Sequence, residues 1–112
     1  MQVVIENDAN CSAWAEYRIG AAIGKSNILV VSFGTGIGAG LILNDSIYRG
    51  AYGLAGEVGH ITVEIDGRPC PCGNKGCWEQ YSSGAELNRL IQRNEKYPTQ
   101  QFAEILFEFS QK

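Results

Sequence analysis

The chain has 112 residues, 45% hydrophobic and 19% charged, enough for one domain with a core and too few for two. Acidic residues outnumber basic ones, 12 to 9, for a formal net charge of -3, which argues against a nucleic-acid surface of clustered Lys and Arg. Apolar runs such as 28–31 are too short to span a membrane, and no charged n-region leads into an apolar h-region, so a cytoplasmic protein is expected.

In chain order, Val3, Val4 and Ile5 suit a short buried strand. The polar run Glu6-Asn7-Asp8-Ala9-Asn10 then reads as a turn and a helix start. A helix is predicted over 9–23, with Cys11, Ala15, Ile19 and Ala22 on one face and Gly24 as the stop. Residues 27–33 read as a buried strand, 39–43 as another and 47–49 as a third. Their short connections, Gly34-Thr35-Gly36-Ile37-Gly38 and Asn44-Asp45-Ser46, predict an antiparallel meander. Residues 50–59 are glycine-rich and irregular, 61–65 alternate as a strand, and 66–76 have no period. Two helices are predicted to close the chain. Ser83 and Glu86 form a capping box ahead of Leu87, Leu90 and Ile91. Pro98-Thr99 opens the second helix, with Phe102, Ile105, Leu106 and Phe109 inward. That helix lacks a stop signal, which predicts a chain cut from a longer one.

The cysteines carry the most specific signal. Cys70, Cys72 and Cys77 lie close together in Cys-Pro-Cys-Gly-Asn-Lys-Gly-Cys. A disulfide among three cysteines always leaves one unpaired, and thiolates are soft ligands that suit tetrahedral zinc. His60, ten residues before Cys70, is the candidate fourth ligand. Four protein ligands leave no open position, so the ion is expected to be structural. Cys11 lies apart and reads as a small buried hydrophobe.

The glycines of the 34–38 run let backbone N–H groups approach an anion. Taken alone, the run fits phosphate binding and a plain turn equally well. No helix follows it as in a dinucleotide fingerprint, and no Lys-Ser/Thr follows as in a P-loop. Asp8, at a strand-to-helix junction, reads either as a helix cap or as a general base. Glu57, His60 and Glu79 flank the cysteine loop. Carboxylates and an imidazole together suit a polyhydroxyl ligand, since each carboxylate accepts from several hydroxyls. The plain alternative for both glutamates is solvent exposure.

Taken together, these segments resemble the ROK family of repressors and sugar kinases. The matching pieces are Glu6 to Asn10, the Gly34 to Gly38 loop, Gly56-Glu57-Val58-Gly59-His60, and Cys70 to Glu79. The run Cys77-Trp78-Glu79-Gln80-Tyr81-Ser82-Ser83-Gly84 looks like the glucokinases of that family. The resemblance covers roughly the first 90 residues. It implies an α/β chain with an actin-like ATPase (ribonuclease H-like) fold. Residues 1–112 would be a single partial domain of its C-terminal lobe, with a zinc-binding loop over 60–79. It also implies an ATP-dependent transfer of the γ-phosphate to a hexose hydroxyl, with glucose favoured, and polyphosphate stays open as the donor.

In that reading Asp8 is the base, and Asn7, Asp8, Glu57, His60 and Glu79 hold the sugar. Gly34, Thr35, Gly36 and Gly38 face the ATP phosphates with Mg2+. His60, Cys70, Cys72 and Cys77 bind zinc, with the second His60 nitrogen turned to the sugar. The family's first phosphate loop has no counterpart here, so the chain alone is expected to be inactive. Members are often dimers. The alternative is the sugar-sensing part of a ROK repressor, a class that often loses the Asn-Asp pair or the loop glycines; this chain keeps both.

Overall fold

The computed structural model describes Met1 and residues 3–93. Helix α1 spans Asp8–Ile19, strands β1, β2 and β3 span Ile28–Phe33, Ile37–Leu43 and Ser46–Ile47, a 3-10 turn spans Val58–His60, and helices α2 and α3 span Glu79–Ser82 and Gly84–Arg93. The second of the two expected closing helices lies outside the described residues. No helix among the described residues is long and apolar enough to cross a membrane.

The meander forms as expected. The sheet order is β1-β2-β3, antiparallel throughout, with Phe33 opposite Ile37 and Leu43 opposite Ser46. That register leaves Asn44 and Asp45 as a two-residue hairpin, and both have positive φ, 49° and 64°. Such a turn matches the twist of the strands it joins, and Asn and Asp tolerate the left-handed region best after glycine. β2 is the central strand and buries Ile37, Ala39, Gly40 and Ile42. Ile42 is fully buried.

α1 lies across this sheet and ends earlier than its composition suggests. Gly20 terminates it, and the Gly20 N–H donates to the Glu16 carbonyl. Its buried positions are Asn10 and Ala13, while Cys11, Ala15 and Ile19 face outward. Cys11 is therefore not a buried hydrophobe. The face is set by backbone proximity rather than by bulk. At Gly40 an added Cβ would collide with the Ala9 carbonyl and stand 2.6 Å from the Ala13 Cβ. Small residues on both elements let helix and strand touch there. Gly40→Ala is expected to lower stability by about 1–3 kcal/mol through overpacking, measured as a drop in the urea midpoint with an unchanged slope.

Two expected strands do not form. Val3, Val4 and Ile5 are unpaired among the described residues, and they are exposed, Ile5 at 94%. Residues 61–65 make one isolated bridge, Thr62 to Cys77, within a run of bends. The 76–78 segment does pair with them, the Val63 N–H donating to the Gly76 carbonyl at 2.8 Å and the Trp78 N–H to the Ile61 carbonyl at 2.9 Å, but Gly76 at φ +71° breaks the ladder there. The capping box is half made. Ser83 Oγ accepts the Glu86 N–H at 3.2 Å, but the Glu86 carboxylate turns to Arg68 and Arg89. Leu87 and Leu90 stay partly exposed, at 39% and 47%.

Candidate functional site

The start of α1 places the first acidic group. Asn7 is the N-cap, and its Oδ1 accepts from the Ala9 and Asn10 N–H groups at 2.9 and 3.2 Å. Asp8 is thus not the cap. It occupies the first turn, where an acidic side chain complements the helix dipole, and it is exposed. Glu6 anchors this junction from below. It accepts from the Asn10 side chain and the Asn7 N–H, both at 3.0 Å, and pairs with Arg49 beyond β3. Those bonds, Asn10 first and then Arg49, hold the Glu6 carboxyl down at about 2.

The glycine turn between β1 and β2 is braced from two sides. Glu79 Oε2 accepts the Ile37 N–H at 2.7 Å, and the Gly34 carbonyl accepts the Gly84 N–H at 2.7 Å. Trp78 seats the same junction, with its ring edge-on to Phe33 at 5.4 Å between centroids. Gly34, Thr35 and Gly36 form the turn, and Gly38 already belongs to β2. A cleft of about 500 Å³ opens between this turn and α1, lined by Asp8, Ser12, the turn with Gly38, and Glu79. The arrangement can hold a neutral polar ligand between two carboxylates, beside a turn whose Ile37 N–H is already taken by Glu79 and whose Gly34 N–H donates to the Gly36 carbonyl.

The second group sits beside the cysteines. The segment Gly56-Glu57-Val58-Gly59-His60 packs on β2. Gly56 has φ +86°, and an added Cβ on Gly56 or Gly59 would strike the Ala39 or Ile37 carbonyl. Both glycines are therefore required for the tight seat that presents Glu57 and His60. His60 Nε2 lies 4.0 Å from Glu57 Oε2, while Nδ1 faces the Cys70 sulfur at 3.6 Å. Cys72 and Cys77 sulfurs are 3.7 Å apart, far beyond a disulfide bond. The four ligand atoms of His60, Cys70, Cys72 and Cys77 all lie within 4.8 Å of one another. A tetrahedral site with Zn–S of about 2.3 Å needs S···S edges of roughly 3.8 Å, so the donor set and its spacing fit that ion. Cys77 is fully buried, and burial pushes its thiol up to about 12. The Cys72 backbone N–H, ahead of the neighbouring thiols and His60, holds Cys70 down at about 7 against its own burial.

The expected site residues therefore fall into two groups. Asp8, Gly34, Thr35, Gly36, Gly38 and Glu79 share the cleft. His60, Cys70, Cys72 and Cys77 form the metal-type cluster, and Glu57 stands beside His60. Asn7 is next to Asp8 but spends its carbonyl oxygen on the helix. Neither Asn7, Glu57 nor His60 lines the cleft. Glu79 is half-buried rather than solvent-exposed, with one oxygen committed to the backbone. Sequence reasoning missed Ser12, whose hydroxyl donates to the Asp8 carbonyl at 3.1 Å; the i, i+4 spacing from Asp8 was the available signal.

The chain matches the model described as "ROK family" over residues 1–111. It is similar to the glucokinase of Streptomyces coelicolor, 44% identical over 106 residues that make up 95% of this chain and 33% of that protein. It is also similar to the xylose repressor of Bacillus subtilis, 49% identical over 94 residues, or 84% of this chain and 24% of the repressor. Among solved structures, it superposes on a ROK family glucokinase from Streptomyces griseus, in complex with glucose and AMPPNP, at a TM-score of 0.77 and 46% identity. The match covers 95% of this chain and 34% of that one. The chain thus spans about a third or less of the length of these relatives.

Proposed function

The chain belongs to the ROK family, and from that premise we propose that it is the sugar-receiving, phosphate-facing part of a hexose kinase. In this reading it forms part of the C-terminal lobe of an actin-like ATPase fold. The single observation that carries the proposal is the shared cleft, where Asp8 and Glu79 face the same space as the glycine turn.

In the proposed reaction, Asp8 accepts the proton of a hexose hydroxyl as that oxygen attacks the γ-phosphorus of ATP. The new O–P bond forms, the bond to the ADP oxygen breaks, and the proton passes to the Asp8 carboxylate. Glu79 holds further hydroxyls from within the cleft, and Asn7, Glu57 and His60, which flank the cleft without lining it, are proposed to reach the sugar from outside it. The backbone of Gly34, Thr35, Gly36 and Gly38 faces the phosphates, where Mg2+ would neutralise charge. Positioning and charge stabilisation supply most of the catalysis in such a transfer, which suits a site spread over a helix start, a turn and a loop. Glucose is the proposed hexose, because the chain is similar to glucokinases over the run from Cys77 to Gly84. Zinc, held by His60 Nδ1 and the sulfurs of Cys70, Cys72 and Cys77, has no open position and is proposed to be structural.

The second reading is a sugar-sensing part of a repressor. It is favoured by the 49% identity to the xylose repressor over much the same segment. One experiment separates the two. This chain is exchanged for the matching segment of the Streptomyces coelicolor glucokinase, and the chimera is assayed for glucose binding and for ATP-dependent phosphorylation. Turnover is expected. A chimera that folds and binds glucose without turning it over overturns the kinase reading and leaves the sensor.

A further inference from the structure

One network lies behind the metal-type cluster and is not used by the proposed reaction. Gln80, on α2, donates its side-chain N–H to the Cys70 sulfur at 3.4 Å. The Gln80 backbone carbonyl accepts from Arg68 at 2.8 Å. The Arg68 guanidinium also pairs with Glu86 on α3, and it lies over the Tyr81 ring at 4.7 Å. The Arg68 backbone N–H donates to the Tyr81 hydroxyl at 2.7 Å, and its carbonyl accepts the Gly76 N–H at 2.8 Å across the base of the loop. Glu86 is buried, 8% exposed, and Arg89 closes its other side at 2.6 Å.

We propose that Gln80 and Arg68 are positioning residues of the metal centre: Gln80 orients the Cys70 thiolate, and Arg68 fastens the ligand loop to α2 and α3 through Glu86. The inference rests on the metal part of the proposed function. Its physical basis is preorganisation. The loop that brings Cys70 and Cys72 has no ladder of its own, only isolated bridges. Without an anchor, the ion must order it and loses affinity by that entropy. An arginine serves where a lysine would not, because one planar group reaches the Gln80 carbonyl and the Glu86 carboxylate while stacking on Tyr81. The buried carboxylate makes the anchor firm. Its hydrogen bonds from Arg89 and then Arg68 keep it ionised, with its titration held down at about 2.

The test uses the 112-residue chain with Co2+ as a spectroscopic probe and Zn2+ in competition with a chelator. The native chain is expected to show a tetrahedral cobalt spectrum with thiolate charge-transfer bands. Gln80→Leu removes the N–H donor at similar size, and should shift the charge-transfer band to lower energy and weaken Zn2+ about tenfold. Losses of ten- to a hundredfold are usual for partners of metal ligands. Arg68→Ala should weaken Zn2+ at least as much while keeping the tetrahedral spectrum, since Glu86 retains Arg89. Arg68→Lys should recover only part of the loss. Unchanged Zn2+ affinity and an unshifted band in Gln80→Leu would overturn the inference even if Arg68→Ala unfolds. Absence of a tetrahedral spectrum in the native chain would instead remove the metal reading, and the inference with it.

Discussion

Asp8→Asn in the glucokinase chimera is expected to cut turnover by about 10²–10⁴-fold, the usual contribution of a positioned general base. Glucose affinity should change far less. Asparagine keeps the shape of the side chain and can still hydrogen-bond a hydroxyl, but it cannot take the proton. The fold gives the variant a clean background. Asn7, not Asp8, caps α1, and Glu6 holds the junction through Asn10, Asn7 and Arg49. Asp8 Oδ1 also accepts the Ala9 N–H at 2.8 Å, a bond that the asparagine oxygen can keep. Loss confined to kcat marks an interaction that acts only in the transition state, whereas a rise in KM alone would mark simple binding. Turnover within tenfold of the unsubstituted chimera would remove Asp8 from the role of base.

The meander was legible because two local signals agreed. Apolar runs of strand length were separated by glycines or by Asn-Asp, and those turn residues fix the register. The metal-type cluster was legible for a different reason. Three cysteines and a histidine are few enough, and chemically specific enough, that spacing alone brings them together. Failures came where a conformation depends on a distant neighbour. Val3, Val4 and Ile5 have strand composition, but among the described residues nothing pairs with them. The buried face of α1 was misread because it is chosen by the absence of a side chain at Gly40, and not by the largest residues on the helix. Glu79 illustrates the limit at the site itself. Its residue type suggested a free carboxylate, yet one oxygen is bound by the Ile37 N–H, a contact 42 positions away in the chain. Arg68 gave no signal at all, since a lone arginine before a proline ordinarily reads as surface charge.

Removing the metal, by chelation or by Cys72→Ala, should weaken glucose binding in the chimera by about tenfold or more, in addition to lowering its melting temperature. The two effects share one cause. His60 directs Nδ1 to the cluster and Nε2 toward Glu57, so an ion on Nδ1 fixes the ring that is proposed to meet the sugar. On the other side, Cys77 is followed directly by Trp78 and Glu79. Trp78 packs on Phe33, and Glu79 grips the Ile37 N–H. Loosening Cys77 therefore reaches the glycine turn as well as Glu79, one of the carboxylates proposed to hold the sugar. Cys72 is the better target of the two because it is exposed whereas Cys77 is fully buried. Its replacement removes a ligand without opening a cavity in the core. Glucose titration by calorimetry, run with Zn2+ and then with chelator present, reads the affinity, and a thermal melt reads the stability. A chimera that loses stability but keeps its glucose affinity would confine the ion to bracing the loop, and His60 and Glu79 would then owe their positions to Gly59 and Ile37 alone.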